Sequence, residues 1–229
     1  MAVILIIEDD PTINEAIEYN LKREGFSVLV ATSGDDGLKL AKAGEPDLVL
    51  LDLMLPGLNG FEVCRQLRER DPALPILMIT ALQDEGSKVK GFDSGADDYI
   101  VKPFSIAEVI AKVKAVFRRT EALKSKDKKR ALEIGDLVID PVAYKVSVSG
   151  EPAQLRPKEF QLLALFASSP GKLFTRQEIA EKVWGYSAVA GRTIDVHVKR
   201  LRSKIESRSA YSYIKTVHGL GYRFEAPEN

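Results

Sequence analysis

Short apolar runs alternate with amphipathic stretches through the first half of this chain. The runs begin near Val3, Ser27, Leu48, Ile76 and Asp98, a spacing of roughly 21–28 residues that suits repeated βα units. Helix signals lie between them. Asp10 can cap a helix whose first position is Pro11, and Gly25 stops it after Ile13, Ile17 and Leu21 have lined one face. Ser33 and Gly44 bracket a second helix, and residues 60–69 carry a third, ended by Pro72 and Pro75. A last helix spans about residues 105–119, its stripe formed by Ile106, Val109, Ile110, Val113 and Phe117. Residues 48–51 and 76–79 are continuously apolar, which predicts a parallel sheet covered on both faces.

The grammar changes after a polar, lysine-rich stretch, residues 118–130, that can bury little surface and reads as a linker. Residues 132–140 and 143–150 alternate as short antiparallel strands. Helical patterns follow near 158–167, 176–183 and 192–206, and residues 214–224 read as a hairpin with glycines at its turn. The predicted organisation is an α/β domain over 1–119, doubly wound on a five-stranded parallel sheet, a linker over 120–130, and an α+β domain over 131–229.

Charge sharpens this division. The chain as a whole is neutral, but residues 1–121 carry 14 Lys and Arg against 21 Asp and Glu, and the remainder carries 19 against 12. An acidic half is joined to a basic one, and the basic half points toward nucleic acid or another polyanion. No apolar run approaches the roughly 18–20 residues of a membrane span. Residues 1–8 lack a basic segment and meet acids too early for a signal peptide. The single cysteine, Cys64, excludes an intrachain disulfide; it reads as a small buried residue on a helix and suits a reducing cytoplasm.

The chemistry lies where the apolar runs end. Asp52 closes the run Leu48-Val-Leu-Leu-Asp52, and Glu8-Asp9-Asp10 follows the run from Val3 to Ile7. A carboxylate at the end of a buried strand calls for a partner or a reaction. Ligands of open parallel sheets bind outside the carboxyl ends of the strands, and Asp9, Asp52, Thr80 and Lys102 all fall at such ends. Glu8, Asp9 and Asp52 offer oxygen ligands to a hard cation such as Mg²⁺. Lys102 offers a positive charge, and Thr80 a hydroxyl, to an anion beside it. A carboxylate nucleophile so surrounded is equipped to accept a phosphoryl group. Pro103 holds Lys102 extended, with the cis isomer of their bond accessible.

Asp9, Asp52, Thr80 and Lys102-Pro103-Phe104, with Leu51-Asp-Leu-Met-Leu-Pro-Gly57 and Gly95-Ala-Asp-Asp-Tyr-Ile100, resemble the flavodoxin-like receiver domain of bacterial response regulators over about residues 2–120. The resemblance implies that Asp52 takes phosphate from a phosphohistidine on a sensor histidine kinase. It implies Mg²⁺ or Mn²⁺ held by Asp9, Asp52 and the Met54 carbonyl, with Glu8 acting through water. It makes Thr80 and Tyr99 a switch pair, the Tyr99 ring filling the space that Thr80 leaves. It also implies a homodimer on activation, through Lys88, Asp97, Asp98, Glu108, Lys112, Arg118 and Arg119, with Lys88–Glu108 and Asp98–Lys112 as intersubunit pairs. Lys112 stands where the family leads one to expect arginine, which removes a bidentate option.

In the basic half, Ile194, Val198, Leu201 and Ile205 form one apolar stripe of a helix. Arg192, Val196, Lys199 and Ser203 lie opposite, Thr193, His197 and Arg200 on one flank and Arg202 on the other. Such a helix can enter a major groove. Leu155-Arg-Pro-Lys-Glu-Phe-Gln-Leu-Leu163, Val183-Trp-Gly185 and Gly219-Leu-Gly-Tyr-Arg-Phe224 resemble the winged-helix effector domain of the OmpR/PhoB type over about residues 131–225. By that resemblance residues 192–206 form the recognition helix. Arg192, Thr193, Val196, His197, Lys199, Arg200, Arg202 and Lys204 become candidates for promoter DNA, and His218, Tyr222 and Arg223 belong to a wing near the minor groove. His218 replaces an arginine common in relatives, which weakens the wing's attraction. His197 reads as a phosphate contact or a packing residue, and Trp184 as core. By the same resemblance, residues 185–191 are the candidate contact for RNA polymerase.

The reading is a transcription factor, not an enzyme beyond its own phosphorylation and dephosphorylation, whose phospho-Asp52 favours a dimer on tandem half-sites. Two alternatives remain: a constitutive dimer independent of phosphate, and a Mg²⁺-dependent phosphotransfer enzyme. The second half holds no further carboxylate cluster, phosphate loop or nucleophile motif that would favour the enzyme.

Overall fold

The structure, a computed structural model, describes residues 1–81, 95–125, 131–141, 143–185 and 191–227, with the helical path alone for residues 118–125 and 191. It divides into two units, Met1–Val116 and Phe117–Asn229.

In the first unit, strands β1 (Val3–Ile7), β2 (Ser27–Ala31), β3 (Leu48–Asp52), β4 (Ile76–Thr80) and β5 (Asp98–Val101) form one parallel sheet in the order β2-β1-β3-β4-β5. Helices α1 (Pro11–Arg23), α2 (Gly34–Gly44) and α3 (Gly60–Arg70) are joined to it, as is the first half of α4 (Ile106–Ser125), which continues past the unit's end at Val116. Parallel strands under helices are sealed on both faces, and every residue of β3 and β4 is buried. All four of these helices carry side-chain caps, that of α4 being the Ser105 hydroxyl, which accepts from the Glu108 amide at 3.1 Å. The Asp10 carboxylate accepts from the amides of Thr12 and Ile13, Ser33 Oγ from Asp36, and Asn59 Oδ1 from Glu62.

Two details of this unit depart from the pattern. The buried positions of α1 are Asn14, Ile17 and Leu21, with Ile13 only half-buried, so the helix is turned by one residue and seats an amide in its apolar stripe. The last helix runs on to Ser125, through the first part of the stretch read as linker, whose residues 126–130 lie outside the described residues.

At the end of α3, a buried arginine ties the unit together. Arg68 Nε and Nη2 donate to the Gly95 carbonyl at 3.1 and 2.9 Å, Nη1 donates to the carbonyls of Pro72 and Leu74, and Nη2 reaches Asp97 Oδ2 at 2.7 Å. Every N–H of the guanidinium thus has an acceptor. Asp97 Oδ2 also accepts from the Ile76 amide at 2.9 Å. One side chain pins the end of α3, the start of β4 and the approach to β5.

The second unit opens on four short antiparallel strands in the order β6 (Leu132–Ile134), β7 (Leu137–Asp140), β8 (Lys145–Val148), β9 (Glu151–Pro152). Residues 132–140, read above as one strand, fold into a hairpin because Gly135 takes a positive φ of 61° and reverses the chain. Helix α5 (Pro157–Ala167) follows, then β10 (Leu173–Thr175) and helix α6 (Arg176–Ile179), which widens into a π-helical turn over Ala180–Trp184. Helix α7 (Gly191–Ile205) precedes the hairpin β11 (Ile214–Val217) and β12 (Gly221–Phe224), which pairs with β10 as a three-stranded sheet. This is a winged-helix arrangement. Ile194, Val198, Leu201 and Ile205 are buried against Phe160, Phe166, Trp184 and Phe224, as the stripe predicts. Tyr213 stacks on Phe224 and donates to Asp136 Oδ1 at 2.6 Å, while Ser149 and Ser209 also donate to that carboxylate. Burial and then the Asp136 carboxylate push the Tyr213 hydroxyl up to about 12.

Candidate functional site

Sheet register assembles the acidic site. Ile7 pairs with Leu51, so Glu8 comes level with Asp52. Asp52 pairs with Ile79 and Thr80 with Val101, so Thr80 and Lys102 stand at the same edge. Four chain segments far apart in sequence thereby deliver their first polar side chains to one place.

There is little spare room in the backbone beneath. A Cβ added to Gly60 would lie 2.2 Å from the Asp52 carbonyl oxygen and 2.7 Å from Leu53 Cα. Only glycine lets α3 start this close to the strand that carries Asp52.

The side chains are tightly coupled. Lys102 Nζ lies 2.5 Å from Asp52 Oδ2 and 2.8 Å from Glu8 Oε2, and the Met54 amide donates to Asp52 Oδ1 at 2.9 Å. Glu8, Asp52 and Thr80 are buried, whereas Asp9 is exposed at the mouth. The Lys102–Pro103 bond is cis. Burial lifts the Glu8 carboxyl to about 7, against the pull of Lys102 and with the push of Asp52. For Lys102, burial acts against the charged form, but its bonds to Asp52 and Glu8 outweigh that and raise its pKa.

Glu8, Asp9 and Asp52 each place a carboxylate oxygen within 4.8 Å of the others. Three carboxylates facing one ammonium leave an excess of negative charge, and the donor set is all oxygen. Both features fit a hard divalent cation.

Tyr99 is buried on β5 in the same sheet as Thr80. The surface set expected for a dimer is placed unevenly. Glu108 is exposed. Asp98 and Lys112 form an ion pair within the chain, at 3.1 Å and largely buried, rather than presenting separate charges to a partner. Asp97, expected on the surface, is turned inward to Arg68. Lys88 and the side chains of Arg118 and Arg119 lie outside the described residues.

Helix α7 separates into an outer face and an anchored one. Arg192, Lys199 and Ser203 are exposed, with Val196 and Arg200 half-buried beside them. His197, read as a flank residue, is fully buried with its ring 5.5 Å from that of Trp184, so of its two expected roles the structure places it in packing. Thr193 is buried as well. Arg202 donates to the Ile214 carbonyl and to Thr216 Oγ1, which binds the helix to the hairpin. Lys204 pairs with buried Glu159 at 2.6 Å. Tyr222 is buried beneath the Arg176 and Arg202 guanidinium groups and donates to Asp195 Oδ1 at 2.6 Å, burial and Asp195 raising its hydroxyl to about 12. Arg223 pairs with Glu225 at the hairpin's base, while His218 is exposed at its tip. Five of the expected DNA contacts thus hold the fold together: Thr193, His197, Arg202, Lys204 and Tyr222. Residues 186–190 of the proposed polymerase loop lie outside the described residues.

Asn14 and Arg68 gave no signal in the sequence, since each contacts residues whose proximity only the fold creates.

Comparison with known proteins agrees with both units. Residues 4–114 match the response regulator receiver domain family, and residues 150–224 match the family of transcriptional regulatory protein C-terminal domains. The alkaline phosphatase synthesis transcriptional regulatory protein PhoP of Bacillus subtilis is 42% identical over 98% of this chain and 97% of its own. The transcriptional regulatory protein AfsQ1 of Streptomyces coelicolor is 43% identical over the whole of both chains. Among solved structures, the response regulator DrrB, an OmpR/PhoB homologue from Thermotoga maritima, is 35% identical with a TM-score of 0.53, covering 99% of this chain and 100% of its own. Among the described residues, no helix is long and apolar enough to cross a membrane.

Proposed function

Since this chain belongs to the OmpR/PhoB family of two-component response regulators, with a receiver domain and a DNA-binding domain of that type, we propose that Asp52 is its phosphoacceptor and that the phosphorylated receiver controls promoter binding through α7. The observation that carries this reading is the contact of Lys102 Nζ with both Asp52 and Glu8 at the carboxyl edge of the sheet.

In the proposed reaction, an Asp52 carboxylate oxygen attacks the phosphorus of a kinase phosphohistidine. The P–O bond forms as the P–N bond breaks, and the imidazole leaves as the neutral base after taking up a proton. Lys102 neutralises charge on the transferred group, and the Thr80 hydroxyl donates to one of its oxygens. Asp9, Asp52 and the Met54 carbonyl, with Glu8 through water, would hold Mg²⁺ or Mn²⁺. Such an ion, when bound, withdraws charge from the phosphoryl oxygens. Hydrolysis of the acyl phosphate would reset the site. Thr80 moving toward the phosphoryl group would draw Tyr99 after it and favour a receiver homodimer, placing two α7 helices on tandem half-sites.

The test is to incubate the full chain with Mg²⁺ and a small phosphodonor, then follow acid-labile phosphate, oligomeric state and DNA affinity together. Phosphate incorporation with dimerisation and DNA affinity unchanged would favour a constitutive dimer instead.

An open groove of about 570 Å³ flanks the site, lined by Thr12, Ile13, Ala16, Lys102, Pro103, Phe104 and Ile106. A kinase that brings its phosphohistidine to Asp52 would rest on this apolar lip. Ala16→Arg should therefore slow transfer from the cognate kinase by about 10-fold or more, the cost of about 1.4 kcal/mol at the encounter, while transfer from a small phosphodonor stays near wild type. Equal slowing of both would remove the groove from the docking surface.

For DNA, Lys199→Ala on the exposed face of α7 should weaken binding to specific and non-specific sequences alike and lower the salt slope by about 1. Affinity lost only for the specific site would make Lys199 a base contact.

A further inference from the structure

Helix α1 seats an amide where its amphipathic pattern predicts a hydrophobe. Asn14 is 5% exposed and sits one turn before Ile17 on the inward face. Burying an amide is unfavourable unless it is bonded, and an apolar residue would serve the core better. Asn14 makes one strong bond: Nδ2 donates to the Glu8 carbonyl at 2.6 Å. Its Oδ1 is buried and meets no donor among the described residues, so packing alone does not account for an amide here.

The helix does not need this bond. Its start is secured by the Asp10 cap and by Pro11 at the first position. Glu8, in contrast, depends on it. The Glu8 amide donates to the Ala31 carbonyl at 3.1 Å, and its carbonyl accepts from Asn14, so both peptide groups flanking its Cα are fixed. With the backbone held, the buried Glu8 carboxylate is aimed at Lys102 and stands beside Asp9 and Asp52. We propose that Asn14 is a positioning residue for the cation site, which orients the Glu8–Asp9 arm through the Glu8 carbonyl. This rests on the reading of Asp9, Asp52 and the Met54 carbonyl, with Glu8 through water, as the cation site.

The experiment uses full-length wild type, Asn14→Leu and Asn14→Ala, with Mg²⁺ affinity measured by titration calorimetry and stability by the thermal midpoint without metal. Leucine fills the apolar stripe and alanine leaves a void, but both remove the donor. The expected result is a Mg²⁺ affinity about 10- to 100-fold weaker in both variants, the range for residues that orient metal ligands, while Asn14→Leu keeps or raises the midpoint. Wild-type affinity in Asn14→Leu, with a loss in Asn14→Ala that follows its midpoint, would overturn the proposal and leave Asn14 a packing residue. If wild type itself binds no Mg²⁺, the reading of the acidic site fails first, and Asn14's role with it.

Discussion

Asp52→Asn should end phosphate incorporation, from a small phosphodonor and from a kinase alike. The substitution keeps the shape of the side chain and its acceptor for the Met54 amide, but it replaces the nucleophilic carboxylate with a neutral amide. A fall on the order of 10³-fold or more is expected, the scale on which removal of a covalent nucleophile acts. The fold should survive, because Lys102 retains Glu8 as a partner. The readout is acid-labile phosphate on the intact protein with Mg²⁺ present, alongside DNA affinity with and without phosphodonor. Wild-type incorporation in Asp52→Asn would move the acceptor elsewhere, and Asp9 at the mouth of the site would be the first place to look. A variant that takes no phosphate yet still gains DNA affinity with the donor would separate the output from Asp52.

The largest effect on stability should come from Arg68→Met. The pair with Asp97 is 7% and 2% exposed at its two side chains, so removing the guanidinium takes the Arg68 charge from a buried carboxylate and the Arg68 donors from three carbonyls. Breaking a buried pair from one side costs about 3–5 kcal/mol, a large share of the roughly 5–15 kcal/mol that holds a domain folded. Adding Asp97→Asn keeps an acceptor for the Ile76 amide while removing the buried charge, so the double variant should be more stable than Arg68→Met alone. Urea unfolding followed by far-ultraviolet circular dichroism reads both. A loss below about 1 kcal/mol in Arg68→Met, the level of an exposed pair, would mean that solvent reaches this site.

The receiver sheet was readable because buried parallel strands print as unbroken apolar runs, and all five strands begin where those runs begin. Asp52, Thr80 and Lys102 were readable for the same reason: a polar residue that ends such a run has nowhere to go but the sheet edge. Periodicity could not say how a helix is rotated. It favoured Ile13 over Asn14 because isoleucine is the better core residue, whereas the Glu8 carbonyl supplies a partner that local sequence cannot show. Asp97 and Asp98 read as two surface acids until Arg68, 29 residues away, and Lys112 draw them in. His197 looked available on a helical wheel. The Trp184 ring beside it belongs to another element, and only the packed core brings the two together. The chain reversal at Gly135 left the alternation of residues 132–140 intact, so a hairpin passed for one strand.

The contact between Trp184 and His197 has a practical outcome. Trp184 is the sole tryptophan, it is fully buried, and its neighbour is the inward face of the helix proposed to read DNA. Excited at the red edge of protein absorption, the molecule glows from its effector unit alone while the receiver stays dark. Any change of emission on adding phosphodonor would then be news that has already crossed from one domain into the other, reported without a label.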